Sequence, residues 1–218
     1  MKEQECFTKL CKVMDILLGD NGCAWDRAQT HKSLRNLLLE ESYEAADAID
    51  QEDMAALQEE LGDVLLHVII HSRIAEKEGH FSLTDVINQV SEKLVRRHSH
   101  IFGEDKAKTP QSVEKTWEAN KMKEKALFTP LENMQAVAKA LPALERAAKV
   151  FKRSGKDLSH KALIDEIRLL LEDLGSHPKS IESYGEILFL MAALSIKMQI
   201  NAEFSLTNST QAFINSFE

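Results

Sequence analysis

Apolar residues recur at steps of three and four through most of this chain, and β-branched residues do not alternate with polar ones, so the pattern is helical. Phe7, Leu10, Cys11, Met14, Leu17 and Leu18 form one stripe and predict a first helix over residues 3–18, stopped by Gly19-Asp20-Asn21-Gly22. Cys23-Ala24-Trp25-Asp26 then reads as a loop. A second helix is expected from Thr30 or Ser33 to about Asp50, a third from about Met54 to Glu78, and a fourth over about residues 83–98. A polar, Pro-containing stretch from Gly103 to Gln111 leads to a short helix with Trp117 and Lys121, and Thr129-Pro130 marks a boundary between halves. With only 8 Gly and 4 Pro in 218 residues, the expected fold class is all-α.

The pattern repeats beyond that boundary. Phe81-Ser82-Leu83-Thr84 recurs as Phe204-Ser205-Leu206-Thr207, and at the same offset Leu61-Gly62-Asp63-Val64-Leu65-Leu66 lies over Tyr184-Gly185-Glu186-Ile187-Leu188-Phe189. Earlier, Thr30-His31-Lys32-Ser33-Leu34 lies over Ser159-His160-Lys161-Ala162-Leu163 with a slightly shorter linker. The expected organisation is a tandem of related helical units, residues 1–128 and 129–218. In the second, Ile187 to Met191 is apolar nearly all round, so its surface is expected to be buried.

Composition narrows the function classes. A chain with 44% hydrophobic and 28% charged residues folds as an ordinary globular protein. No basic stretch followed by an apolar run opens it, and no apolar segment approaches the roughly 18 residues of a membrane span, which points to a cytoplasmic protein with no membrane partner. Cys6, Cys11 and Cys23 are odd in number and lack CxxC spacing, so neither disulfides nor a thiolate zinc site is expected, and they read as reduced and mostly packed. A net charge of −8 argues against nucleic acid as a partner; a phosphate ligand would need a metal to help neutralise it.

Candidate chemistry sits on the second and third helices. Glu41 and Glu44 are three residues apart, as are Glu60 and Asp63, so each pair shares a helical face. Glu41 falls in the stripe Leu34, Leu37, Leu38, Ala45, Ala48, and Glu60 lines up with Leu57, Val64 and His67. Carboxylates on an inward face are costly unless something cationic meets them. Four hard oxygen ligands from two antiparallel helices suit Mg²⁺, with Mn²⁺ as the other possibility. A di-iron bundle would need Glu-x-x-His pairs, and the third residue after Glu60 is Asp63. Cations follow: Lys93 and Arg97 lie four apart, Arg96, His98 and His100 stand beside them, and Lys121 lies four after Trp117. These can reach phosphates the metal leaves unneutralised, while Trp117 offers an aromatic face to a base or ribose.

These residues resemble the MazG family of nucleotide pyrophosphohydrolases. The resemblance rests on Gly22-Cys23-Ala24-Trp25-Asp26 followed by Gln29-Thr30-His31, on Glu40-Glu41-x-x-Glu44, on Glu60-x-x-Asp63, on Lys93 to Gly103 with its Arg96-Arg97-His98-x-His100 core, and on Trp117-Glu118-x-x-Lys121. It covers residues 7 to 125 strongly. Ala24 stands where relatives usually have Pro, and Ser99 where Pro is common, departures that affect loop rigidity more than chemistry. The resemblance implies an all-α homodimer with Mg²⁺ held by Glu41, Glu44, Glu60 and Asp63, cleaving nucleoside triphosphates to monophosphate and pyrophosphate. It places Lys93, Arg97 and Lys121 on phosphate and Trp117 by the nucleoside, with Glu40, Arg96 and His98 secondary. Glu41 and Glu44 are the candidates for a catalytic base.

The second copy has lost this set. Glu40, Glu41 and Glu44 fall over Leu169, Leu170 and Asp173, while Glu60, Asp63 and Lys93 fall over Ser183, Glu186 and Ser216. Its expected role is structural. Two other functions stay open at this level: a narrower house-cleaning substrate such as dUTP, phosphoribosyl-ATP or an oxidised nucleotide, and a non-enzymatic helical dimer that binds nucleotides and uses the acidic cluster only for a structural ion.

Overall fold

The computed structural model describes residues 2–103, 105–124, 129–177 and 180–217. Every regular element among them is a helix, as the three-and-four spacing requires. The chain divides into two compact units, Met1–Glu104 and Asp105–Glu218.

The first unit contains α1 (Glu3–Leu18), α2 (Ala24–Arg27), α3 (Arg35–Asp50), α4 (Met54–Lys77), α5 (Leu83–Arg97) and α6 (Ser99–Phe102). The apolar stripes of α1, α3, α4 and α5 meet in a core of Met14, Leu34, Ile69, Ile70 and Leu83, with Phe7, Leu10, Leu17, Leu37 and Leu66 packed around it. Burying each such side chain stabilises the unit by about 1.5–3 kcal/mol, and Ile69→Ala would cost about 2–5 kcal/mol because nothing can collapse into the space. Ser82 and Asp85 form a capping box that starts α5, with Ser82 Oγ 3.2 Å from the Asp85 N–H and the Asp85 carboxylate 2.8 Å from the Ser82 N–H. That network, led by the Ser82 hydroxyl, holds the Asp85 carboxyl below its ordinary value.

Three expectations for this unit need correction. The Cys23–Asp26 stretch is not a plain loop: it holds the single turn of α2, too short to show a period. α3 begins at Arg35, because Thr30 and Ser33 bond each other across a separate turn, with Thr30 N to Ser33 Oγ 2.9 Å and Ser33 N to Thr30 Oγ1 3.1 Å. The cysteines are not mostly packed, since Cys6 and Cys23 are exposed and Cys11 is half-buried. Gly22 closes the turn after α1 at a point where a Cβ would collide with the Leu17 carbonyl oxygen.

The second unit contains α7 (Pro110–Glu124), α8 (Pro130–Gln135), α9 (Ala143–Ser154), α10 (His160–Ser176), α11 (Ile181–Met198) and α12 (Ala202–Asn215). Its core is Phe151, Leu163, Ile167, Leu190, Ala193 and Leu194. Leu34 and Leu163, aligned in the repeat, are both core residues. α7 belongs to this unit and is tied to α9 by Lys152 Nζ, 2.9 Å from Glu114 Oε1. The compact units therefore part at Glu104 and Asp105, earlier than the boundary read at Thr129-Pro130; residues 125–128, beside that boundary, lie outside the described set. α11 also departs from expectation. Leu190 and Ala192 to Leu194 are buried, yet Leu188, Phe189 and Met191 are 42%, 37% and 48% exposed, because α9 and α10 cover only one side of a helix that is apolar all round.

Candidate functional site

The site is built on the hairpin of α3 and α4. Its turn carries Glu52 with a positive φ of 56°, and Asp53 caps α4 by accepting from the Ala55 and Ala56 N–H groups at 3.0 and 3.1 Å. About this turn the acids fall in matched rows: Glu44 and Glu60 stand eight residues either side of Glu52, and Glu41 and Asp63 stand eleven. Antiparallel helices of equal rise therefore bring Glu44 level with Glu60 and Glu41 level with Asp63. Ala45 and Ala48 of α3 are buried in the seam and let the helices approach. Glu41, Glu60 and Asp63 each offer a carboxylate oxygen within 4.8 Å of the other two. All three are half-buried; Glu44 is exposed at the edge, and Glu40 is exposed too.

Electrostatics bind the four acids into one group. Partial burial first, then the charges of Asp63 and Glu44, a hydrogen bond with Glu44 and the charge of Glu60 push the Glu41 carboxyl above its ordinary value. Burial, Glu44, Glu59 and Asp63 raise Glu60 in the same way, while a hydrogen bond from Glu41 works the other way. Without a cation, then, the carboxyls of Glu41 and Glu60 bind a proton more readily than a free glutamate does. A divalent cation at the meeting point of these oxygens would offset the repulsion that raises them.

The cations divide between the units. Lys93, half-buried, and Arg97, 8% exposed, lie on α5, which packs on α4. Arg96 is exposed beside Glu92 at 3.6 Å. His98 caps α5, its Nδ1 2.7 Å from the Leu94 carbonyl oxygen. Trp117 and Lys121 are on α7 in the second unit, where Lys121 Nζ lies 4.8 Å from the Trp117 ring centroid and 3.1 Å from Glu118 Oε1.

One constellation escaped the sequence reading. His31, just before α3, puts its Nδ1 2.8 Å from Nδ1 of His71 on α4, and the buried His67 ring lies 6.1 Å from that of His71. The available signal was the four-residue spacing of His67 and His71 on the Glu60–Asp63 helix; the missing information was that His31, forty residues away, meets them.

Residues 29–102 match the MazG nucleotide pyrophosphohydrolase domain. The chain is 34% identical over 221 residues to the nucleoside triphosphate pyrophosphohydrolase/pyrophosphatase MazG of Thermotoga maritima, covering 97% of this chain and 84% of that protein. The chain belongs to the MazG family. It is also 31% identical over 222 residues to the nucleoside triphosphate pyrophosphohydrolase of Escherichia coli K12, covering 96% and 84% of the two. The uncharacterized protein YabN of Bacillus subtilis is 45% identical over 146 residues, which span 67% of this chain and 30% of that protein. The MazG segment contains all four acids, Glu40, Lys93, Arg96, Arg97 and His98, whereas Trp117 and Lys121 lie beyond it. Members of the MazG family generally depend on a divalent metal, which the donor set of the cluster suits.

Proposed function

We propose that this chain hydrolyses nucleoside triphosphates to nucleoside monophosphates and pyrophosphate, with Mg²⁺, or Mn²⁺ in its place, held by Glu41, Glu44, Glu60 and Asp63. The observation that carries this reading is the convergence of Glu41, Glu60 and Asp63 oxygens within 4.8 Å inside the MazG segment. Bound there, the cation would neutralise triphosphate charge and make a water more acidic. The protein's own contribution is placement. The α3–α4 hairpin presents carboxylates from two rigid helices, so little reorganisation accompanies loading of the site. Glu41 or Glu44 takes the proton of the attacking water, since both lie on the acidic face of α3 that meets Glu60 and Asp63. Lys93 and Arg97 contribute fixed positive charge toward the phosphate chain; the phosphate and nucleoside roles of Lys121 and Trp117, which lie in the second unit, rest on the family resemblance alone.

A homodimer completes the proposal. Leu61, Leu65 and Val68 on α4 and Ile87, Val90 and Leu94 on α5 are exposed at helical spacing in the single chain, an apolar area that a second copy would cover. Among the described residues no single helix is long and apolar enough to cross a membrane; α11 and α12 reach that length and apolarity only as a pair bent by 104°. We place the protein in the cytoplasm, with residues 1–128 as the catalytic part and 129–218 as a structural second copy. The test is a panel of ribo- and deoxynucleoside triphosphates incubated with Mg²⁺, with product analysis. Monophosphate and pyrophosphate in equal amounts, abolished by EDTA, support the proposal; diphosphate with orthophosphate, or no turnover, rejects it.

A further inference from the structure

We propose that His31 and His71 form a proton-sharing latch, closed at neutral pH and opened by acid, that holds the segment leading into α3 against the middle of α4. Their Nδ1 atoms are 2.8 Å apart, their ring planes are 2° from parallel and their centroids are 5.0 Å apart. At that separation the rings meet edge to edge along the N···N line, the geometry of an N–H···N hydrogen bond. One ring donates and the other accepts, so at least one Nδ1 must be bare. The bond survives with no extra proton on the pair, or with one. A second extra proton removes the acceptor and sets two cations against each other at 2.8 Å.

The surroundings resist that second proton. His71 is half-buried and its Nε2 is buried with no partner, so an added proton there would go unsolvated. Burial first, then the neighbouring His31 and His67, hold the His71 pKa below the ordinary histidine value. From α4, His67 is 6% exposed with its own Nδ1 unpartnered, and Asp63 is the anion acting on it. Glu78, at the end of α4, lies 3.9 Å from His31 Nε2 and also 3.7 Å from His80, so it offsets one positive charge on the pair but not two. Asp15 of α1 and Glu76 are taken up by Arg73 at 2.8 and 2.9 Å. α5 brings apolar Leu83 to the neighbouring core. Because the folded pKa of His71 is lowered, the stability it contributes is complete above the ordinary value of about 6.5 and is lost as pH falls through the folded value. The latch lies three residues before the buried anchor Leu34, so its opening frees the segment that feeds α3.

The test compares thermal midpoints of the full chain, without added metal, from about pH 7.5 to about pH 5.5, a window bracketing the ordinary histidine pKa. Glutamine keeps hydrogen-bonding capacity but does not titrate. Wild type should lose several degrees across this window, and His71→Gln should start lower and lose less than half as much. His31→Gln with His71→Gln should be no less stable than either single variant, since both remove one shared bond. An acid loss undiminished in His71→Gln overturns the latch. Should a variant fail to fold, the imidazole ¹⁵N spectrum of wild type decides: one bare and one protonated Nδ1 in the pair at about pH 7.5 is expected, and two bare Nδ1 atoms overturn it.

Discussion

The two units place the same hairpin in opposite electrostatic states. In the first, Glu44 faces Glu60 across the α3–α4 seam, and the repulsion, added to burial, pushes the Glu60 carboxyl up. In the second, the aligned residues are Asp173 and Ser183 on α10 and α11, five positions either side of residue 178. There the Ser183 hydroxyl donates to Asp173 Oδ2 at 2.7 Å, His177 stands 3.1 Å from Oδ1, and the Asp173 carboxyl is pulled below its ordinary value, chiefly by Ser183. Glu186, aligned with Asp63, is exposed, and the α10 residue equally far from residue 178 is the apolar Leu170 rather than an acid. One hairpin thus accumulates like charge that a cation can relieve, and the other satisfies Asp173 with a neighbouring hydroxyl and imidazole. A helix pair can keep its packing while exchanging a site for a seam, because the exchange needs only the few polar positions between the apolar ones.

The largest effect that would break this comparison lies in the first unit. Glu41→Gln, Glu44→Gln, Glu60→Gln and Asp63→Asn should each reduce pyrophosphate release at least about a hundredfold while leaving far-UV circular dichroism unchanged, since each removes a ligand charge without emptying core volume. Full turnover in Glu60→Gln would mean that the cluster is only a charged face. A smaller loss, about tenfold in triphosphate affinity with monophosphate binding little changed, is expected for Lys93→Ala, whose charge is assigned to the phosphate chain. Arg97 is buried, so Arg97→Ala would also damage packing, and Arg97→Lys is the cleaner probe of its role. Equal losses for both nucleotides would make these residues structural.

Acid should separate the units by sign. The raised carboxyls of Glu41 and Glu60 contribute stability below the ordinary carboxyl value, and it is lost as pH rises through their folded values; Asp173, being lowered, contributes above the ordinary value and loses it only as pH falls further. Carboxyl chemical shifts followed against pH should show Glu41 and Glu60 titrating later than free glutamate as pH is raised from acid, and Asp173 earlier than free aspartate. Mg²⁺ should raise the thermal midpoint by a few degrees at about pH 7, and the rise should vanish on acidification as protons reclaim the cluster. Coincident titration of all three acids would erase the contrast. The smallest effect is expected in the second unit, where Asp173→Asn with Glu186→Gln should leave the rate within about threefold, a barrier change below roughly 0.7 kcal/mol. Loss of hydrolysis in that folded variant would give the second copy a working site.

The apolar period determined much in advance: α1 over residues 3–18, the long α4, the buried positions Met14 and Leu34, and the pairing of acids on single helical faces all follow from 3.6 residues per turn acting on neighbours in the chain. The four-residue α2 was illegible because one turn cannot display a period, and the early parting of the units was hidden because α7 has no buried residue to betray which core it joins. Only tertiary structure decided the interactions between helices. The matched heights of Glu44 with Glu60 depend on the turn at Glu52, the bond from Ser183 to Asp173 depends on two helices meeting in register, and the contact of His31 with His71 closes over forty residues. Local spacing tells which side chains share a face; which face they meet is set by how the apolar stripes of distant helices pack, and that is a property of the folded unit.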